Sequence, residues 1–302
     1  MSFRPGQFVT LVIAAALAGA TLATAQICIE DHGFAPVGDT RIYYEVAGRG
    51  EPVVLLHGGQ LDSRMWDAQW APLAARFRVV RYDARGFGGS ALTTAAFSHY
   101  DDLAGLLDYL GIERAHLIGL SLGGRTAISF ALTYPQRVRS LVLVGPGLSG
   151  FDFPGDDGST QRWWERLNAA LAGDLAKATE LWLADPFMAP AMEQPELARR
   201  LRRIADENRH VFLANPILDR EPTPPAAGRV AEIKAPTLLV LGGRDLPMIK
   251  AIVELLQGKV GGAKRLDIPG AGHMVPMEKP AEFNAPVIEF LAGVAGAAAP
   301  AR

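Results

Sequence analysis

Ser121 is the residue whose setting most directly suggests chemistry. It lies in Gly119-Leu-Ser121-Leu-Gly123, a G-x-S-x-G pattern between a short apolar run and a helical pattern. A strand that turns this sharply into a helix strains the serine backbone, and the glycines avoid side-chain collisions. The new helix N-terminus favours negative charge developing beside the serine. The pattern predicts a nucleophile, and the alternative is a small serine in a tight turn.

A serine alcohol needs a base before it can act as a nucleophile, and His273 is the best candidate for that base. Of the six histidines, only His210 and His273 follow Ser121, and the chain order expected for this motif is serine, acid, histidine. His210 lies in a charged helical run, which is typical of a solvated side chain. His273 lies in a glycine-flanked loop just after the last predicted strand. The sequence therefore predicts His273 as the base, with a structural loop histidine as the alternative.

The carboxylate that orients the base should also follow a strand. Asp245 comes directly after a predicted strand through two glycines and an arginine, whereas Asp267 lies within a strand. The preceding strand is followed by Gly145-Pro-Gly147, which offers no carboxylate. We therefore predict Asp245 as the acid, with a turn-forming aspartate as the alternative.

Two backbone N–H groups are needed to stabilise an oxyanion. The first should belong to Leu122, the residue after the nucleophile. The second should come from the glycine loop after the first buried strand, where we favour Gly59 over Gln60. His57, which ends that strand, is interpreted as a structural residue.

Other chemistries receive little support from the sequence. Residues 145–150 fit G-x-G-x-x-G and residues 86–91 fit the related G-x-G-x-x-A, but neither opens a helix with an acid about 20 residues on, as a dinucleotide site requires. Cys28 is the single cysteine, which excludes an intramolecular disulfide and a cysteine metal cluster. No H-E-x-x-H pattern occurs. We expect neither a cofactor nor a metal.

The elements that must position these residues alternate along the chain. Short apolar runs alternate with amphipathic helical patterns, which predicts an α/β fold with a doubly wound, mostly parallel sheet and helices on both faces. A hairpin precedes them. The predicted strands cover residues 33–37, 40–47, 52–57, 77–82, 115–120, 139–144, 236–241 and 264–268, and the predicted helices cover 66–76, 100–110, 122–134, 248–257 and 280–291.

Residues 150–234 interrupt this alternation. They contain no convincing strand, but helical patterns at 161–171, 175–184 and 195–213. We interpret the segment as a helical lid inserted between the core parts 26–149 and 235–292, with a flexible alanine-rich tail at 293–302. The aromatic and sulfur side chains of the lid either bind it to the core or line a pocket. Five side chains are expected to line the substrate pocket: Gln60, Phe87, Trp163, Trp164 and Met274.

The N-terminus has the pattern of a signal peptide over residues 1–25. Arg4 precedes an apolar run, and Ala23-Thr-Ala25 fits the small-x-small rule for cleavage. Export to the periplasm or the medium is expected, with no stable membrane span after cleavage; a retained membrane anchor is the alternative.

Length and charge narrow the function classes. The 302 residues, 49% hydrophobic and 21% charged, suit one large globular domain with an insertion. Thirty basic residues face 32 acidic ones, a net charge of −2, so no nucleic-acid partner is expected.

The motifs together resemble the α/β-hydrolase superfamily over most of the mature chain. His57-Gly-Gly, residues 83–90, the Ser121 motif, Gly243-Arg-Asp245 and Gly272-His273-Met stand in the order typical of that family. The resemblance is strongest to the esterase and lactonase branch that includes 3-oxoadipate enol-lactonase. It implies a Ser121, His273 and Asp245 triad.

These observations predict a serine hydrolase that cleaves a small-molecule carboxylic ester or lactone through an acyl-enzyme, without a cofactor. A perhydrolase or haloperoxidase-like enzyme and a C–C bond hydrolase could use the same triad. A small-molecule receptor without catalytic activity is the alternative outside enzymes, because a fold alone does not fix function.

Overall fold

The computed structural model describes residues 30–92, 94–156, 158–213 and 218–298. The predicted signal peptide and Cys28 lie outside the described residues. No helix within these ranges is both long and apolar enough to span a membrane.

An eight-stranded sheet forms the centre of the molecule, in the order β1-β2-β4-β3-β5-β6-β7-β8. β2 pairs antiparallel with β1 and β4, and the remaining pairs are parallel. This sheet confirms the predicted fold class. The strands are β1 (Asp31–Val37), β2 (Thr40–Ala47), β3 (Pro52–Leu56), β4 (Arg78–Tyr82), β5 (Ala115–Leu120), β6 (Val138–Val144), β7 (Thr237–Gly242) and β8 (Lys264–Ile268).

The helices follow the strands in the alternation that the sequence predicts. They are α1 (Asp67–Ala74), α2 (His99–Tyr109), α3 (Leu122–Thr133), α4 (Ser159–Leu171), α5 (Leu175–Leu183), α6 (Ala189–Met192), α7 (Pro195–Glu207), α8 (Pro247–Lys259), α9 (Val275–Glu278) and α10 (Pro280–Ala298).

The central strands are apolar on both faces because each face packs against its own core layer. In β3, Val53 and Leu55 belong to one apolar cluster, while Val54 and Leu56 belong to the other. Side chains alternate along a strand, so a continuous apolar run supplies both layers. After β3, the chain adds β4 on one side and β5 on the other. The carboxyl ends of β3 and β5 therefore border the crevice where doubly wound sheets bind ligands.

The chain between β6 and β7 contributes no strand to the sheet in its described part, and α4 to α7 lie there. The lid role of residues 150–234 stays a prediction. The predicted helix at 195–213 is two helices, because α7 ends at Glu207 and a 3₁₀ helix covers Arg209–Leu213. Buried Asn208 separates them. Its side chain donates to Asp62 and accepts from the Gly88 N–H, so it joins this segment to the core.

The tail prediction needs a correction. Helix α10 continues to Ala298, well into the 293–302 segment that the sequence predicts as flexible. Alanine has the highest intrinsic helix propensity, so an alanine-rich extension prolongs a helix that is already packed on the core. Residues 299–302 lie outside the described part.

Candidate active site

Ser121 occupies a strained turn between β5 and α3, with φ 52° and ψ −108°. Its N–H donates to Val144 O over 3.0 Å, which ties the turn to the next strand. The flanking glycines are sterically required. A Cβ at Gly123 would lie 2.2 Å from Leu56 O, and one at Gly119 would lie 2.4 Å from Gly123 O. The glycines of G-x-S-x-G are thus needed because the start of α3 packs closely against β3.

Asp245 and His273 meet beyond the ends of β7 and β8. His273 Nδ1 lies 2.9 Å from Asp245 Oδ2 and 3.1 Å from Oδ1, and both side chains are buried. Asp245 Oδ1 also accepts from the Leu246 N–H over 2.7 Å, which fixes the carboxylate. Burial lowers the pKa of His273, but the charge and hydrogen bond of Asp245 oppose this and leave that pKa raised above 6.5. An Nδ1–H donated to Asp245 leaves Nε2 as the proton acceptor.

Ser121 and His273 face a shared cavity. A cavity of 350 Å³, which we call the smaller cavity, is lined by both residues, and Ser121 also lines a larger cavity of 560 Å³. Four residues line both cavities: Ser121, Trp163, Arg166 and Met248. Apolar side chains beside a few polar groups are usual for small-molecule sites. The smaller cavity is lined by Ser121, Ser159, Thr160, Trp163, Arg166, Asp185, Phe187, Leu246, Met248, Ile249 and His273.

The predicted oxyanion-hole residues line the same cavity as the nucleophile. Gly59, Gln60 and Leu122 line the larger cavity together with Ser121. Leu122 is the first residue of α3, so its N–H has no partner within the helix. Gln60 has a φ of 58°, unusual for a residue with a side chain. The loop after β3 therefore holds backbone strain beside Ser121, as functional sites often do.

Three of the five side chains predicted to line the substrate pocket lie at a cavity in the structure, and two do not. Gln60, Phe87 and Trp163 line the larger cavity. Trp164 is 52% exposed and lines neither cavity, because consecutive helical residues point about 100° apart. Met274 also lines neither cavity, because it is 2% exposed and packs into the core just before α9.

The other residues that the sequence analysis considered, His57, His210 and Asp267, lie outside the catalytic arrangement. His57 Nε2 accepts from the Ala84 N–H over 2.9 Å, and its Nδ1 lies 2.8 Å from Gly58 O, so both ring nitrogens are engaged by backbone. His210 is half-buried in the 3₁₀ helix after α7 and lines neither cavity. Asp267 is exposed and accepts from Arg265.

Several charged residues of the site were missed by sequence reasoning. Five of them line the cavities, and their spacing in the chain carries no common motif: Arg85, Arg125, Arg166, Asp185 and Asp219. The remaining one, Glu278, accepts from the backbone N–H groups of Gly272 and Met274. Its only sequence signal is its place five residues after His273.

No group of three or more histidine, cysteine, aspartate or glutamate side chains arranged for a metal ion occurs within residues 30–92, 94–156, 158–213 and 218–298.

Comparisons with known proteins agree with this architecture. The chain is 34% identical over 271 residues to a 2-hydroxy-6-oxononadienedioate/2-hydroxy-6-oxononatrienedioate hydrolase of Burkholderia vietnamiensis, covering 84% of this chain and 91% of that protein. It is 31% identical to a 2-hydroxy-6-oxo-6-phenylhexa-2,4-dienoate hydrolase of Comamonas testosteroni, covering 84% and 92%. The crystal structure of the enol-lactonase from Burkholderia xenovorans superposes with a TM-score of 0.74 at 26% identity, covering 86% of this chain and all of that one.

The relatives carry the names of hydrolases, so the protein is an enzyme rather than a receptor built on the same fold. The sequence profile of one family matches residues 53–285, which spans the sheet from β3 onward, Ser121, Asp245 and His273. The chain therefore belongs to the alpha/beta hydrolase family.

Proposed function

We propose that the enzyme hydrolyses small carboxylic esters or lactones through an acyl-enzyme on Ser121. The observation that carries the proposal is the buried Asp245–His273 hydrogen bond beside a cavity that Ser121 also lines. A base oriented by a carboxylate next to a strained serine is the arrangement that activates an alcohol for acyl transfer.

The reaction follows from the roles of these groups. His273 Nε2 takes the proton of Ser121 Oγ as that oxygen attacks the carbonyl carbon. The backbone N–H groups of Leu122 and Gly59 stabilise the oxyanion. Collapse breaks the carbon–oxygen bond, and His273 returns the proton to the leaving alcohol. A water, deprotonated by His273, then attacks the acyl-enzyme. The bond between the acyl carbon and Ser121 Oγ breaks, His273 returns the proton to Oγ, and the acid is released.

Covalent labelling and turnover test this proposal together. The purified enzyme should react with a fluorophosphonate probe at Ser121 and hydrolyse para-nitrophenyl esters or lactones. The Ser121→Ala variant, folded as judged by circular dichroism, should lose both properties. Ester turnover that persists in Ser121→Ala would contradict the proposal.

Hydrolysis of a carbon–carbon bond on the same triad is the second candidate. The support comes from the two relatives named for 2-hydroxy-6-oxo acids, which match at 31% and 34% identity. Such acids present a ketone to the nucleophile in place of an ester carbonyl. An assay that compares 2-hydroxy-6-oxo-6-phenylhexa-2,4-dienoate with an ester panel, by kcat/KM, decides between the two candidates.

We further propose that the protein is exported, on the strength of the leader pattern in residues 1–25.

A further inference from the structure

We propose that Arg166 binds a carboxylate of the substrate, so that the preferred esters or lactones carry a free acid group. The inference rests on the proposed function, because it names the substrate class of the same site. Arg166 lines both cavities, as Ser121 does, so one small molecule can contact both residues.

The three arginines that line the cavities differ in how fully they are paired. Arg85 donates from all three nitrogens, to both oxygens of Asp102 and to Asp39. Arg125 meets two carboxylates, Asp219 at 2.5 Å and Glu221 at 3.0 Å. These two guanidinium groups are neutralised by protein acids.

Arg166 is paired much less completely. Its Nη1 donates to Asp185 Oδ2 over 2.5 Å, and neither Nε nor Nη2 has a partner among the described residues. Asp185 accepts from Arg162 Nε as well, so its carboxylate is shared. The Arg166 side chain is 14% exposed, so its charge has lost most of its water. A buried charge is unfavourable unless paired, so the open nitrogens favour an anionic ligand.

The side chains around Arg166 indicate the chemical class of its ligand. A guanidinium presents a planar fork that matches a carboxylate, which an uncharged ester chain cannot satisfy. Trp163, Phe187 and Met248 line the smaller cavity together with Arg166 and His273. The cavity that Arg166 and His273 share therefore offers apolar surface to a ligand, beside the polar side chains of Ser159, Thr160 and Asp185. A substrate with an apolar segment between its scissile carbonyl and its carboxylate fits this arrangement.

Two matched pairs of esters test the proposal. The mono-para-nitrophenyl ester of adipic acid and para-nitrophenyl hexanoate differ by an acyl-side carboxylate, and 4-acetoxyphenylacetate and its neutral amide differ by one on the alcohol side. The variant is Arg166→Gln. The matched control is Arg162→Gln, which removes the other Asp185 partner from the same helix but lines neither cavity.

We expect Arg166→Gln to lower kcat/KM for the acidic ester of at least one pair by about 10- to 100-fold, the size of one charge-assisted interaction, mainly through KM. The neutral partner should stay within about threefold. In Arg162→Gln, the ratio of kcat/KM between the acidic and the neutral ester should stay within about threefold of that of the unmodified enzyme. Arg166→Lys should recover part of the preference for the acidic ester that Arg166→Gln loses. Equal losses on acidic and neutral esters, or the same change in ratio for Arg162→Gln, would overturn the proposal.

Failure of the proposed function gives a different result, because then no ester or lactone is turned over by any variant. In that case, protection of Ser121 from a fluorophosphonate by adipate monoamide measures carboxylate binding directly. Protection that is lost in Arg166→Gln and kept in Arg162→Gln supports the carboxylate site, and equal protection in both overturns it.

Discussion

The side chain of Glu278 anchors the loop that contains His273. Its two carboxylate oxygens accept from Gly272 N over 2.7 Å and from Met274 N over 2.9 Å, the N–H groups on either side of the histidine. Burial raises the pKa of Glu278, whereas the two N–H groups favour its ionised form. Its negative charge in turn helps to raise the pKa of His273.

The pH dependence of activity should report this arrangement. The base must be neutral, and its pKa is raised above 6.5, so kcat/KM should fall as the pH drops through that raised pKa. Glu278→Gln removes a negative charge, which lowers the pKa of His273 and moves the acid limb to lower pH. It also replaces one acceptor with a donor, and we expect a loss of about 1–3 kcal/mol in unfolding free energy.

The control is Glu282→Gln, an exposed acid in the first turn of α10, which should leave the acid limb in place. An acid limb that stays unchanged in Glu278→Gln would show that this carboxylate does not act on the base.

Asp245→Asn should disable the enzyme without unfolding it. The amide keeps the size of the carboxylate but loses its charge and can stabilise the wrong imidazole tautomer, which in serine triads costs about 10⁴ in kcat. We expect a loss of at least roughly 10³ in kcat, measured with a saturating ester. Asp267→Asn is the matched control, because Asp267 is exposed beside Arg265, and it should stay within about tenfold. The reverse ordering would identify Asp267 as the orienting acid.

Gly145→Ala should displace the side chains of Asp245 and His273. A Cβ at Gly145 would lie 2.9 Å from Asp245 Oδ2 and 3.1 Å from His273 Nδ1, so the pair must shift. We expect kcat to fall by about 10²-fold, since small displacements of catalytic groups have large effects. Gly38→Ala controls for backbone strain, because Gly38 also has a positive φ, but nothing lies within 4 Å of its added Cβ. Equal activity of the two variants would contradict the expected steric effect.

Trp163 and Trp164 form a matched pair in α4. Trp163 lines both cavities, whereas Trp164 lines neither. Trp163→Ala should therefore change the ratio of kcat/KM between short and long acyl esters by about tenfold, about 1.4 kcal/mol in relative barrier. Trp164→Ala should leave the ratio unchanged. If both variants alter only the melting temperature, Trp163 contributes to packing and not to selectivity.

The mature N-terminus tests the proposed export. Intact-mass analysis of the protein from its native host should give a chain that begins at Gln26, because cleavage is expected after Ala25. The control is the same chain made without a secretion pathway, which should keep residues 1–25. Full-length protein in the cytosol of the native host would contradict export.

The sequence by itself determined the architecture and the identity of the central candidates. Apolar runs such as residues 115–120 form strands buried on both faces, and this signal is local. Ser121, Asp245 and His273 each lie just beyond a strand end, marked by neighbouring glycines. Because parallel strands bring their carboxyl ends to one edge of a sheet, chain order alone places such residues on the same side of the molecule.

Only the tertiary structure decided which side chains face the cavity and which partners they have. Trp163 and Trp164 are both tryptophans, and both are partly exposed, but the placement of α4 brings only Trp163 to the wall of the cavities. Likewise, Asn208, which follows the last residue of α7, donates from its side chain to Asp62, 146 residues away in the chain. The incomplete pairing of Arg166 depends on the placement of Asp185 on another element. Pairing and burial of this kind arise from long-range contacts, which periodicity and motif spacing along the chain do not encode.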